Sequence, residues 1–179
     1  MINQNQEKEN KNQSKGQEQQ GLKKLAPEPK NKEWKEKVLD LRRVTRVVAG
    51  GKRFRFRATV ILGNNKGDVG VGIAKGSDVS EAISKARAKA MKNIIHIDLK
   101  DNRTIWHEAT AKYSAAKVLI KPASEGHGIK AGSAVRIVLE LSGLKDVTAK
   151  CLGRTPNKLT NAMATIRALQ KIKTPENKV

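Results

Sequence analysis

Residues 54–62 read FRFRATVIL, and their alternation decides how the first part of the chain folds. Phe54, Phe56, Ala58, Val60 and Leu62 fall on one side of an extended chain, and Arg53, Arg55 and Arg57 on the other. Successive side chains of a strand point to opposite faces, so this period of two predicts a half-buried strand, apolar inside and cationic outside. Upstream, residues 42–57 form RRVTRVVAGGKRFRFR, with seven cations and no acid. Like charge at that density repels itself, which implies an anionic partner outside the chain. VLDLRRVTRVV is rich in β-branched residues, favouring extended structure, and Ala49-Gly50-Gly51-Lys52 predicts a turn. RRVTRVVAGGKR is expected to behave as a flexible basic loop that orders against its partner, with the strand proper starting at FRFR.

Downstream, GNNKGD reads as a hairpin connection and VGVGIA as a second strand. Val69, Val71 and Ile73 are expected to face inward and Gly70 and Gly72 outward. Two glycines on one strand face weaken it unless another backbone approaches closely. Ser77-Asp78 opens a helix, with Asp78 and Glu81 at capping-box spacing. Val79, Ala82, Ile83, Ala86, Ala90 and Ile94 form its apolar stripe. Lys85, Lys89 and Lys92 share another face and no acid lies between Glu81 and Asp98, so phosphate contact competes with plain solvation.

A polar stretch at Lys100-Asp101-Asn102 marks an expected boundary between two halves. Beyond it TIWHEA and AAKVLIKP read as strands, the latter ended by Pro122, and ASEGHGIKAG as a glycine-rich loop. SAVRIVLELSG is helical, with Ala134, Ile137, Val138 and Leu141 at helical spacing and Gly143 at the C-cap position. DVTAKCLG predicts a short strand. NKLTNAMATIRALQKI predicts a last helix with Leu159, Ala162, Met163, Ile166 and Leu169 inward. The pattern is α+β in two small domains, residues 34–100 and 101–173. Half of the first twenty residues are Asn or Gln, so residues 1–33 are expected to be a disordered tail, with a short tail at 174–179.

The chain carries 37 Lys and Arg against 17 Asp and Glu, a formal charge of +20. Residues 1–33 hold seven Lys and five Glu, so nearly all of the excess lies in the part that can fold. Cys151 is the one cysteine, which rules out an intramolecular disulfide and fits a reducing compartment. No apolar run approaches the roughly 20 residues needed to span a bilayer, and a cytoplasmic protein without membrane contact is expected.

Catalytic chemistry is not indicated. His96, His107 and His127 stand far apart without ligand spacing, and a single cysteine does not support a zinc site. GVGIAKG lacks the dinucleotide fingerprint and GNNKGD lacks the ending of a phosphate-binding loop. No cofactor, metal or catalytic residue is expected. The glycine-rich loop 126–132 opens a helix, and two readings stay open: a turn with an N-cap, or contact with a phosphate backbone or partner protein.

Among nucleic acids, structured RNA fits best. Single-strand readers stack bases on aromatic rings, and this chain is 3% aromatic. DNA readers aim Arg, Asn or Gln at base edges from a recognition helix, whereas the helix here offers lysine and alanine. RNA shape is read through phosphates and 2′-hydroxyls, which a basic strand and basic helix face can supply. The candidate RNA-binding set is Arg42, Arg43, Arg46, Gly50, Gly51, Lys52, Arg53, Arg55, Arg57, Lys85, Lys89 and Lys92, with Lys121 and Lys130 in the second half.

RVTRVVAGGKRFRFRATVILGNNKGDVGVGIAKG, DVSEAISKARAKAMKNI and KPASEGHGIKAGSAVRIVLELSGLKDVTAKCLG occur in an order and spacing that resemble the bacterial small-subunit ribosomal protein S-five family, from about Trp34 to Ile172. The resemblance implies a first domain like double-stranded-RNA-binding domains and a second of β-β-α-β-α type. It implies a structural constituent that binds small-subunit ribosomal RNA near the head–body junction, supporting assembly and translational accuracy. Implied neighbours are ribosomal proteins S-four and S-eight and messenger RNA near the entry channel. It also implies that Val44–Arg53 approaches the spectinomycin site. The chain departs from the family pattern at Ala49, where Lys is usual, and at Arg154-Thr155-Pro156-Asn157, where the family usually has Ser-Asn-Pro. A free-standing RNA chaperone or nucleic-acid-compacting protein is the alternative.

Overall fold

The computed structural model describes residues 34–173; the tails expected at 1–33 and 174–179 lie outside the described residues. Four antiparallel strands, β1 (Lys35–Val48), β2 (Gly51–Gly63), β3 (Asp68–Gly76) and β4 (Ile94–His96), form a first sheet in the order β1-β2-β3-β4. Helix α1 (Val79–Lys92) joins β3 to β4. A second sheet contains β5 (Ala109–Tyr113), β6 (Ala116–Pro122), β7 (Ile129–Lys130) and β8 (Val147–Cys151) in the order β5-β6-β8-β7, with β7 parallel to β8. Helix α2 (Ser133–Ser142) makes that parallel crossover, and α3 (Lys158–Gln170) closes the chain.

The layers run α1, first sheet, α2 with α3, second sheet. Alternation along β2 and β3 sends each face to a different neighbour. Ala58, Val60 and Ala74 pack against Ala82 and Ala86 of α1. Ile61, Val69 and Val71 enter a larger core with Val138 and Leu139 of α2, Ala162 and Leu169 of α3, and Val118 and Ile120 of β6. Each fully buried Val, Leu or Ile contributes about 1.5–3 kcal/mol by leaving water. The inner part of β2 is thus buried on both faces, not half-buried as its alternation suggests.

The glycines of β3 explain how α1 sits so close. Gly70, Gly72 and Gly76 face the helix, and a Cβ at Gly72 would lie 2.1 Å from the Ala86 carbonyl oxygen. At Gly70 it would lie 2.5 Å from the Ala90 carbonyl oxygen. The expectation that Gly70 and Gly72 face outward is therefore corrected. They face a helix backbone, the close approach that makes glycine tolerable in a strand. The start of α1 follows the predicted cap: Asp78 accepts from the Ser80 N–H, while Glu81 reaches back to the Ser77 N–H and hydroxyl, both at 2.6 Å.

The β2–β3 turn also fastens the first sheet to α2. Asn65 N–H donates to the Leu141 carbonyl at 3.1 Å and Gly67 N–H to Ser142 at 2.9 Å. These donors satisfy carbonyls that a helix C-terminus leaves unpaired. Gly143, at φ +91, ends α2 in the left-handed conformation predicted for its position.

Two further expectations are corrected. TIWHEA is not a strand: Ile105 is buried, but Trp106 and His107 lie in a bend and strand pairing starts at Ala109. Residues 42–53 are not a loop, because β1 and β2 pair from Lys35↔Gly63 out to Val48↔Gly51.

Candidate nucleic-acid interface

Pairing between β2 and β3 stops at Phe56↔Gly76, whereas β1 and β2 run on together. The outer part of this ribbon is a two-stranded arm with its turn at Ala49-Gly50 and with Gly51 at φ +131. No described residue covers it, and burial along β2 changes from exposed at Gly51–Arg55 to fully buried from Ala58.

Register sorts the cations onto two faces. Directly opposed residues of an antiparallel pair share a face. The pairs Arg42↔Arg57, Val44↔Arg55, Arg46↔Arg53 and Val48↔Gly51 therefore lie together, joined by Lys75, which opposes Arg57 from β3. Arg46, Arg53, Arg55 and Lys75 line an open groove of about 570 Å³ with Val44, Thr45 and Val48. Arg43 and Lys52 belong to the opposite face with Phe54 and Val47. There the Arg43 guanidinium lies 3.7 Å from the Phe54 ring centroid.

Phe54 is 47% exposed, which corrects its placement in the core; Phe56 is half-buried against Ala58, Ala74 and α1. The alternation of FRFR gives the correct side for both rings. Among the described residues no core side chain packs over that side beyond Gly76, so the outer ring meets the Arg43 guanidinium and not the core.

The groove face carries two directly opposed arginine pairs. Like charges opposite each other in a sheet cost roughly 0.2–1 kcal/mol per pair. Arg42 is relieved by Asp40 at 2.6 Å, an acid that also reaches Lys158 of α3 at 3.9 Å. Among the described residues Arg46, Arg53, Arg55, Arg57 and Lys75 have no ion-pair partner. Asp40 stands at a β-bulge opposite the buried Thr59, where the register shifts between Val38 and Asp40 before the arm begins.

The remaining candidates lie elsewhere. Lys85, Lys89 and Lys92 are exposed along one flank of α1, on the side of the first sheet away from the groove. Lys85 is ion-paired with Glu81, so the expectation of lysines without an acidic neighbour is corrected for that residue. Hydrogen bonds from Lys85 and from the Ser77 hydroxyl and N–H pull the Glu81 carboxyl down to about 2. Lys121 and Lys130 belong to the second sheet, and Lys121 pairs with Glu108 at 3.4 Å.

The glycine-rich loop resolves toward a structural turn. Gly126 and Gly128 have positive φ, and the buried Asp146 carboxylate accepts the Gly128 N–H at 2.9 Å. That bond, more than the Arg103 guanidinium at 3.0 Å, holds the Asp146 carboxyl below the ordinary carboxylate range. Lys75 was legible but missed: it continues the Val69, Val71, Ile73 face of its strand.

Comparison with known proteins gives the chain's family. A family model described as "Ribosomal protein S5, N-terminal domain" matches residues 34–98, and one described as "Ribosomal protein S5, C-terminal domain" matches residues 111–179. The chain belongs to the ribosomal protein S5 family. Small ribosomal subunit protein uS5 of Synechococcus elongatus is 48% identical over 145 residues, covering 81% of this chain and 80% of that protein. The uS5 of Campylobacter jejuni is 48% identical over 141 residues, covering 79% and 95%. The uS5c of Cyanidium caldarium is 48% identical over 142 residues, covering 79% and 84%. As an S5-family member the chain is a non-enzymatic structural constituent of the small ribosomal subunit, with ribosomal RNA as its partner. Its two-part α+β architecture is that of the family's two domains. No described helix is long and apolar enough to cross a membrane.

Proposed function

We propose that the β1–β2 arm is the chain's principal grip on small-subunit ribosomal RNA, and that this grip supports subunit assembly and translational accuracy. The observation that carries the reading is the groove face, where Arg42↔Arg57 and Arg46↔Arg53 oppose one another with Arg55 and Lys75 beside them. A folded chain keeps such repulsion when an external polyanion neutralises it. Phosphate contacts position a protein without reading sequence, so register on the RNA comes from its shape and from neighbouring proteins. Arg43 and Lys52 serve the arm's other face, Gly50 and Gly51 allow the tip to follow a close contour, and Lys89 and Lys92 add contacts from α1. Residues 34–100 and 101–173 act as the two domains, with ribosomal proteins S-four and S-eight as neighbours and messenger RNA near the entry channel.

The test is the double variant Arg46→Glu with Arg53→Glu, followed into small subunits on a sedimentation gradient. Loss of incorporation with an unchanged melting temperature is expected. Normal incorporation removes the arm from the interface. With six to ten phosphates contacted, affinity for the subunit RNA should fall roughly 10³–10⁵-fold between 50 and 200 mM salt. A salt-insensitive complex contradicts the reading.

A further inference from the structure

The cationic side of the first sheet contains an acid. Register and the bulge put Asp40 on the side of Arg42, Arg57 and Lys75, and among the described residues of β1, β2 and β3 no other Asp or Glu lies there. The Asp40 side chain is 17% exposed, whereas its two partners are far more open, Arg42 at 56% and Lys158 at 48%. Arg42 Nε–H donates to Asp40 Oδ2 at 2.6 Å. On the other side, the Lys158 ammonium, from the first residue of α3, stands 3.9 Å from Oδ1. The two carboxylate oxygens thus link the helical layer to the guanidinium that opposes Arg57. A carboxylate here cannot help RNA binding by its charge, because it repels phosphate.

We propose that Asp40 is a positioning residue, which holds the Arg42 guanidinium at Nε so that its Nη groups are presented to an RNA phosphate. The inference rests on the RNA-binding reading of the arm and deepens it, giving a role to an acid for which that reading alone has no place. A guanidinium is a rigid planar fork that grips phosphate through paired N–H groups. Anchoring it at Nε removes rotamer freedom from a long side chain and leaves the Nη edge open. Ordering such a side chain before RNA arrives is worth about two- to tenfold in affinity. Two observations favour positioning over simple relief of charge. Arg57, directly opposite Arg42 and half-buried, has no ion-pair partner among the described residues, although relief would serve it better than the exposed Arg42. Asp40 is also itself fixed, by the bulge in its backbone and by Lys158 on its second oxygen. Diluting charge needs no such support, whereas aiming a fork does.

The experiment measures the affinity of the full chain for transcribed small-subunit ribosomal RNA at one fixed salt concentration, in a double-mutant cycle. The sign of the change separates the two roles. Removing an acid that merely repels phosphate tightens binding; removing one that aims Arg42 weakens it. Asp40→Asn is therefore expected to weaken binding about two- to tenfold. In an Arg42→Gln background the same change should leave affinity unchanged or raise it, because only the repulsion remains. Asp40→Glu, which keeps a carboxylate beside Arg42, should bind more tightly than Asp40→Asn. Circular-dichroism melting of each variant checks the fold. If Asp40→Asn is not folded at the assay temperature, Arg42→Lys decides instead. It keeps the charge but loses the fork, and parental affinity in that variant overturns the proposal. So does Asp40→Asn binding as tightly as the parent, or weakening binding equally with and without Arg42. In those cases the arm keeps its RNA reading provided that Arg46→Glu with Arg53→Glu loses binding. If that pair of changes leaves binding intact, the reading of the arm fails as well.

Discussion

The two ends of β2 obey different physics although they belong to one strand. From Ala58 to Gly63 every residue is buried, because α1 covers one face and the α2–α3 layer the other. From Gly51 to Arg55 every residue is exposed, and identity is set by charge where packing imposes nothing. The root is a fit problem and the tip an electrostatic one. Glycine makes the contrast plain. Gly72, paired with Val60 at the root, has no room for a methyl, whereas a Cβ at Gly50 in the turn would meet nothing within 4 Å.

The largest effect tests that contrast directly. Gly72→Val drives side-chain atoms into the Ala86 carbonyl and should cost about 3 kcal/mol or more, since neither backbone can move without opening the α1 seam. Gly50→Ala should lie between neutral and a gain of about 0.4–1 kcal/mol through the unfolded chain. Chemical denaturation of both variants decides the matter. Equal destabilisation would mean that the tip is packed too.

The two phenylalanines give the next largest difference. Phe56→Ala removes a half-buried ring from the Ala58–Ala74–α1 cluster and should cost about 2 kcal/mol, below the 3–5 kcal/mol of a fully buried ring. Phe54→Ala loses its stacking under Arg43 and should cost about 0.5–1 kcal/mol. Similar midpoint shifts for the two would place the edge of the core one pair further out.

Much of this was legible in the sequence, for identifiable reasons. FRFRATVIL shows its period, Asp78 and Gly143 show their caps, and the basic run 42–57 shows its charge, because each signal is local. Whether Phe54 is covered depends on where β3 pairing and α1 stop, which is a tertiary fact. The same limit hid the burial of Gly70 and Gly72, since alternation names sides and not what lies over them. TIWHEA misled because β-branched and aromatic content stands in for a strand only where a partner strand is present. The candidate cations were found as one basic set. Register then divided them among the groove, the back of the arm, α1 and the second sheet.

A smaller effect concerns the root alone. Glu81, held down to about 2 by Lys85 and Ser77, stabilises the start of α1 while it is ionised. Its folded value lies below its ordinary 4.5, so this contribution is complete above about pH 4.5 and is lost as pH falls toward 2. Amide exchange at Ser80 and Glu81 should speed up through that window in the parent. It should be fast and pH-independent, beyond intrinsic rates, in Glu81→Gln. The arm has no acid between Arg42 and Arg57 and should show no such transition.

The smallest effect has the opposite sign at the tip. Arg53→Glu places a carboxylate directly across from Arg46, turning a repulsive cross-strand pair into an attractive one. Pairs of this kind are worth roughly 0.2–1 kcal/mol, so the variant should melt slightly higher than the parent while binding RNA more weakly. At the root, no single change should raise stability in this way, because the positions there are already fitted to their neighbours. An arm shaped by its own stability would carry the acid; under the proposed function the arginine is kept because the compensating charge lies on the RNA. If Arg53→Glu instead lowers the melting temperature, Arg53 makes a contact within the chain, and the repulsion that points to RNA is weaker than the register implies.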